Sequence, residues 1–359
     1  MTTATSELDL YASFSKTYAP RVDAVMAEYF NGRVRGASMP LVRRMFGDLK
    51  EYCSRDGKRV RPLIMILSYF GYGGARGRDV ERIAVALELL HACLLIQDDI
   101  IDRSPLRRGG ASMHLLCGKK YRGNTRNPNV GGDIALILSD VLFANALEII
   151  SGSDFPLKTR NSFLRIFSDA LEITAWGQIL DIMNSHPKKV ESPRETAQQI
   201  ATMKTAYYTI YYPLLMGYAL AGRDSEKEKE LIRDFALPLG LAFQLRDDIL
   251  GVFGTDTAIG KSADSDILEG KITLLVDCTI KNLKKADRAR FISLFTRSGK
   301  DRAVIEKIRE MIRRSGSLDE VRERHRELIE ESRRALAGLG MKKEYRSIML
   351  GMMSIISKV

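Results

Sequence analysis

Apolar residues recur at helical spacing along almost the whole chain, and the recurrence resumes after every break. The stretches from Asp79 to Ile101 and from Asp301 to Leu339 show it most plainly. Alternating β-branched runs are few and only 10 prolines interrupt the sequence, so the pattern predicts an all-α fold. A chain of 359 residues ordinarily divides into two domains, but no Pro/Gly/Ser-rich tract or low-complexity run supplies a linker. One large helical domain over 1–359 is expected. The run from Thr205 to Ala221 is uncharged and rich in tyrosine; its five tyrosines and two threonines make it a helix buried all round in preference to a membrane span.

Charge changes the picture little. The formal net charge is +11, yet the runs Lys281 to Arg290 and Arg309 to Arg334 interleave bases and acids at helical spacing, as solvated amphipathic faces do. No nucleic-acid motif accompanies them, so no nucleic-acid partner is expected. Peripheral association of the basic surface with a membrane stays open. Cys53, Cys93, Cys117 and Cys278 lack CxxC spacing, and Met1 to Leu10 has neither the basic nor the apolar region of a signal peptide. A cytoplasmic chain with reduced thiols and no transmembrane segment is expected.

Two acidic strings stand out against their apolar flanks: Asp98-Asp99-Ile100-Ile101-Asp102 and Asp247-Asp248-Ile249-Leu250-Gly251. Burying unpaired carboxylates is costly, so something cationic must meet them. Asp98 and Asp102 lie one helical turn apart on one face, where their oxygens converge on a common ion. The donors are all oxygen, which suits Mg²⁺, an ion that takes one or two carboxylates and completes its shell with water and substrate phosphate.

Each acidic string has basic company. Gly57-Lys58-Arg59-Val60-Arg61-Pro62 brackets three cations, and Arg107-Arg108-Gly109-Gly110 follows the first string after a short loop. Lys204-Thr205 heads the tyrosine-rich helix, and Gly260-Lys261 through Asp266, Gly270 and Lys271 follows the second string. His91 shares the apolar helix of Asp98 and, on its own, reads as a core histidine unless a second anion lies nearby.

From about Gly57 to Thr273 the strings GKRVRP, His91, DDIIDRSPLRRG, GQILD, KT, FQLRDD and GKSADSDILEGK come in the order of the trans-isoprenyl diphosphate synthases, and the chain resembles that family. The resemblance implies the isoprenoid synthase type of helical bundle with a central apolar cavity, and a homodimer, with the helices around Ile134 to Ile150 as the contact. It implies Mg²⁺-dependent condensation of isopentenyl diphosphate with allylic diphosphates, with three ions expected alongside the substrate diphosphate. Asp98, Asp102 and Asp247 are then the direct metal ligands, supported by Asp99 and Asp248. Arg107, Lys204, Lys261 and Lys271 contact the allylic diphosphate, with Gln178, Asp181 and Asp266 orienting metal waters and lysines. Lys58, Arg61, His91 and Arg108 match the isopentenyl diphosphate site, which turns His91 into an expected ligand. Main-chain carbonyls near Lys204 and Thr205, with the Gln244 amide, face the developing carbocation. Loops around Gly118 to Gly132 and Ala258 to Asp266 are expected lids. One departure is visible: Gly251 stands where many members carry a third Asp.

The product grows away from the aspartates, so side chains upstream of Asp98 form its floor. Cys93 and Leu94 stand where aromatics often stop members at fifteen carbons, and a small Cys93 lets the chain pass toward Leu89 and Leu90, a further turn down. Geranylgeranyl diphosphate is the expected product, with chains of twenty-five carbons or more, or farnesyl diphosphate, as alternatives. A class I terpene cyclase is a more distant reading, disfavoured because Thr255 stands where its second motif needs Glu. A catalytically silent partner subunit is another, disfavoured because the aspartates and lysines are all present.

Overall fold

The computed structural model describes residues 6–75, 77–185, 194–254 and 264–358. The fold is all-α, as expected: among the described residues the only strands are the two-residue pair β1 (Leu106–Arg107) and β2 (Gly110–Ala111). The chain resolves into two compact units, Ala12–Leu164 with Gly217–Arg223, and Met1–Tyr11 with Arg165–Met216 and Asp224–Val359.

The first unit holds most of α1 (Glu7–Gly36), then α2 (Pro40–Cys53), α3 (Val60–Gly71), α4 (Arg78–Ile101), the strand pair, α5 (Met113–Tyr121), α6 (Val130–Ser151) and the start of α7 (Leu157–Asn184). α4 is its core: from Val80 to Cys93 nearly every side chain is buried, so its apolar surface has no solvent stripe. It packs along α6, whose Ala135, Leu138, Leu142 and Ala146 are all buried. α6 approaches α5 closely because Gly131 is bare; a Cβ there would stand 2.8 Å from the Gly118 Cα. Among the described residues α6 is also the one helix long and apolar enough to cross a membrane, and Leu136, Ile137 and Leu147 leave an apolar seam exposed along it. The expected Gly118 to Gly132 lid is mostly helix. Only 125–129 lie outside helical turns, and side-chain bonds from Thr125 and Asn127 to local amides tie them down.

The second unit holds the rest of α7, α8 (Arg194–Ile200), a π-helical stretch (Ala201–Tyr211) that runs into the start of α9 (Tyr212–Leu220), α10 (Glu226–Phe253) and α11 (Ser265–Glu269). It ends with α12 (Leu274–Asn282), α13 (Lys285–Phe295), α14 (Arg302–Arg314), α15 (Ser317–Leu336) and α16 (Lys343–Ile356). Ser225, Thr273 and Asp301 cap α10, α12 and α14 by accepting from main-chain amides three residues on. The pattern from Asp301 to Leu339 breaks once, at Gly316, whose φ of 77° opens α15. The basic residues of this region pair with acids about one turn away, as in Arg309 with Glu306 and Arg324 with Glu327. The tyrosine-rich run is a core element as expected, with Tyr208, Thr209, Ile210 and Tyr211 buried. Its π-helical start is a departure, because equal polarity on all faces carries no signal of hydrogen-bond register.

Candidate active site

In the first unit the expected site side chains collect at the end of α4 and in the two loops beside it. Asp99 is fully buried: Arg107 Nε donates to its Oδ1 at 2.8 Å, a second Arg107 nitrogen reaches the same oxygen, and the Tyr52 hydroxyl donates to Oδ2 at 3.3 Å. Asp98 and Asp102 are part-exposed, with Arg107 Nη2 3.4 Å from Asp98. The inward aspartate therefore orients the arginine while its neighbour faces outward. Arg55 fixes the turn from the other side, donating to the carbonyls of Arg107 and Ala111 at 3.1 and 2.9 Å.

Arg61, His91 and Arg108 come together one layer further down. Arg61 Nη1 lies 3.3 Å from His91 Nε2, and Arg108 donates to Glu88 at 3.0 Å. Burial, followed by the guanidinium groups of Arg61 and Arg108, holds His91 well below the ordinary histidine range, so its ring is neutral. Glu88 also receives Arg59 at 2.7 Å, and Arg59 reaches Asp23 at 2.7 Å. Arg59, Arg103 and Arg108 have φ of 47°, 53° and 51°, a conformation that costs a non-glycine residue free energy and clusters at functional sites. Lys58 is exposed. Sequence reasoning passed over Tyr52, Arg55 and Glu88 and met Arg59 only as one of three bracketed cations; the available signal was Glu88 itself, an acid inside the apolar run from Ile83 to Leu90.

Of the expected floor residues, Leu89 and Leu90 are buried, Cys93 is 3% exposed, and Leu94 is half-buried. Gln97 approaches Cys93 Sγ at 3.7 Å and donates to Ser139 of α6 at 3.2 Å, so Cys93 stands at the α4–α6 seam. Burial pushes its thiol up to about 11, and all four cysteines are buried without forming a disulfide.

The second unit gathers the other set. Lys204 Nζ lies 2.6 Å from Asp181 of α7; the Thr205 hydroxyl donates to Gln244 at 2.5 Å, and Gln244 donates to Asp248 at 2.6 Å. Asp248 is buried and Asp247 part-exposed, repeating on α10 the division seen at Asp99 and Asp98. Burial, then the Asp266 and Asp247 carboxylates, push Asp248 well above the usual carboxylate range despite the Gln244 amide. At the departure, Gly251, the Asp266 carboxylate lies where a Cβ would stand, so a side chain there would have to push that carboxylate aside. Gln178 is part-exposed on the same helix as Asp181, and Lys271 pairs with Glu269 at 2.8 Å. Lys261 and the start of the expected Ala258 to Asp266 lid lie outside the described residues.

These donors suit a hard cation that brings much of its own shell. Among the described residues no three His, Cys, Asp or Glu groups form a closed metal cage, whereas Asp98 and Asp102 offer two outward carboxylates on one helix face. At the second cluster, Asp247, Asp248 and Asp266 crowd like charges that a cation would relieve.

Comparison with known proteins agrees with this geometry. Residues 43–312 match the polyprenyl synthetase family. The chain is 32% identical over 293 residues to a short chain isoprenyl diphosphate synthase of Methanothermobacter thermautotrophicus, covering 78% of this chain and 84% of that one. It is 30% identical to a geranylgeranyl diphosphate synthase of Saccharolobus solfataricus, covering 80% and 83%. The crystal structure of a geranylgeranyl pyrophosphate synthase from Corynebacterium glutamicum, complexed with isoprenyl diphosphate and magnesium, superposes with a TM-score of 0.87 at 27% identity, over 96% of this chain and 98% of that one. The chain belongs to the polyprenyl synthetase family, and it is an isoprenyl diphosphate synthase, a trans-prenyltransferase.

Proposed function

We propose that this enzyme joins isopentenyl diphosphate head to tail (1'-4) to allylic diphosphates, with geranylgeranyl diphosphate as its main product. One observation carries the reading: in both Asp-Asp pairs the second carboxylate is buried and held by the chain's own groups, while the first stays outward, where an ion and a diphosphate can reach it. Asp98, Asp102 and Asp247 are the ligands for Mg²⁺, three ions in all, and the metal supplies charge neutralisation on the departing diphosphate. Arg107, held by Asp99, and Lys204, held by Asp181, present fixed positive charge to the same anion, so little reorganisation is needed as its charge develops. Lys271 and Lys261 add to that charge, and Gln178, Asp181 and Asp266 orient waters and lysines.

Lys58, Arg61 and Arg108 hold isopentenyl diphosphate, with the neutral His91 ring as a hydrogen-bonding partner. The C–O bond of the allylic substrate breaks with its electron pair leaving on diphosphate. The π electrons of isopentenyl diphosphate then form the new C–C bond, and a proton passes from the adjacent carbon to the released diphosphate. Thr205, Gln244 and the main chain near Lys204 face the transient cation. Positioning two substrates for this step supplies several kcal/mol, about 7–11 at the limit.

The small Cys93 supports a twenty-carbon product, with Leu89 and Leu90 as the floor below it. The fold reads as one synthase domain over 1–359 with a central apolar cavity. It acts as a cytoplasmic homodimer in which the exposed Leu136, Ile137 and Leu147 of α6 meet a second copy. The test is incubation with Mg²⁺, labelled isopentenyl diphosphate and dimethylallyl, geranyl or farnesyl diphosphate, followed by chain-length analysis. A ladder ending at twenty carbons is expected; longer chains would move the floor deeper, and no incorporation from any starter would sink the proposal.

A further inference from the structure

The π-helical stretch Ala201–Tyr211 carries Lys204 and Thr205, and two glycines from different helices meet it at bare Cα positions. A Cβ on Gly177 of α7 would stand 2.5 Å from the Lys204 amide nitrogen and 2.9 Å from its Cα. A Cβ on Gly240 of α10 would stand 2.5 Å from the Ala206 Cα and 2.6 Å from its Cβ. Side chains do not make contacts that close, so any larger residue displaces the π stretch.

The two contacts share one design. On α7, Gly177 lies one turn before Asp181, which binds the Lys204 amine at 2.6 Å; on α10, Gly240 lies one turn before Gln244, which accepts from Thr205 at 2.5 Å. Helical side chains lean toward the N-terminus and cover the turn before their own Cα. Asp181 and Gln244 therefore reach over the turns that the glycines leave bare, and each helix grips the same short stretch twice, once by main-chain contact and once by a side-chain bond. A π turn has wider, less regular hydrogen bonding than an α turn and does not hold its own register well. External contacts have to hold it.

We infer that Gly177 and Gly240 are positioning residues for the transferase reaction: together they fix the main chain at Lys204 to Ala206 so that the lysine amine and threonine hydroxyl sit where the diphosphate departs. The inference rests on the proposed roles of Lys204 and Thr205. A structural role alone would require only that the contacts be filled; a positioning role requires that displacing the stretch impair the chemical step in a folded enzyme.

The experiment compares Gly240→Ala and Gly177→Ala with Gly351→Ala, an equally tight packing glycine on α16 against the main chain of Glu7. Steady-state kcat, KM for isopentenyl diphosphate and the unfolding midpoint are measured on each full-length enzyme. Gly240→Ala and Gly177→Ala should lower kcat about 100-fold, the cost of a shift near 1 Å, with KM for isopentenyl diphosphate unchanged. Gly351→Ala should lower the midpoint and leave kcat intact. Adding Ala206→Gly to Gly240→Ala should recover part of the lost kcat. Should Gly240→Ala fail to fold, Ala206→Gly alone loosens the same contact and should lower kcat several-fold. Unchanged kcat in the folded glycine variants, or in Ala206→Gly where Gly240→Ala does not fold, overturns the inference, as does a kcat loss in Gly351→Ala equal to theirs. Lys204→Ala in the same assay judges the lysine's role independently: retained kcat there refutes that role, whatever the glycine variants do.

Discussion

Asp98 and Asp99 are adjacent on α4 and both meet Arg107, but 18% of the Asp98 side chain stays exposed, while Asp99 is fully buried against Arg107 and Tyr52. Their conservative substitutions should therefore fail differently. Asp98→Asn should reduce kcat about 10²–10³-fold with little change in unfolding midpoint. Asp99→Asn leaves a buried guanidinium short of counter-charge and should cost about 3 kcal/mol of stability, with a higher KM for the allylic substrate. Kinetics and denaturant unfolding on the two variants separate these outcomes; matching profiles would remove the distinction.

Glu88 joins Arg59 and Arg108 inside the first unit. Glu88→Ala would leave Arg59, itself 3% exposed, with only Asp23 as an acidic partner, and should destabilise the enzyme by about 3–5 kcal/mol. The milder Glu88→Gln should fold and raise KM for isopentenyl diphosphate, because Arg108 loses its charged anchor. A KM increase confined to the allylic substrate would reassign Arg108.

Gly251→Asp would restore the residue many relatives carry, yet here it should harm the enzyme, since Asp266 already occupies that space. A loss of kcat of about tenfold or more is expected, and Gly251→Ala should lose activity in the same direction. Wild-type rates in Gly251→Asp would mean that Asp266 moves aside freely.

Cys93→Phe should shorten the product toward fifteen carbons. Because Cys93 is packed against the Gln97 and Ser139 side chains, the larger ring should also cost about 1–3 kcal/mol. Product chromatography gives the answer directly, and an unaltered distribution would take Cys93 out of the floor.

Burial lowers the affinity of His91, His114 and His325 for protons below the ordinary value of 6.5. The unfolded chain then binds more protons than the folded one as pH falls below that value. Stability should be fully present above pH 6.5 and decline below it, by up to about 1.4 kcal/mol per pH unit for each histidine. Denaturant titrations from pH 7.5 down to 5 measure the slope, and His91→Gln should reduce it; an equal slope in that variant would show that His91 does not contribute.

Much of this enzyme is legible in its chain. Helical periodicity and sparse prolines announce an all-α protein, and acids inside apolar runs mark the sites, because burying such groups without a partner is too costly to be accidental. The Asp-Asp pairs and the lysines and arginines that follow them can be named without coordinates. Which member of each pair turns inward cannot, since that depends on Arg107 and Tyr52 reaching Asp99 from other segments and on Thr205 holding Gln244 beside Asp248. The same holds for Glu88, readable as an oddity but not as the partner of Arg59 and Arg108.

The sequence by itself determined the fold class, the family and the chemical inventory of the site, because periodicity and residue type are local properties that survive without knowledge of packing. Only the tertiary structure decided the π-helical register of Ala201–Tyr211, the service of Asp266 at Gly251, and the bare contacts at Gly177 and Gly240. Each of these depends on two segments distant in sequence competing for the same few ångströms, and no single segment records that competition.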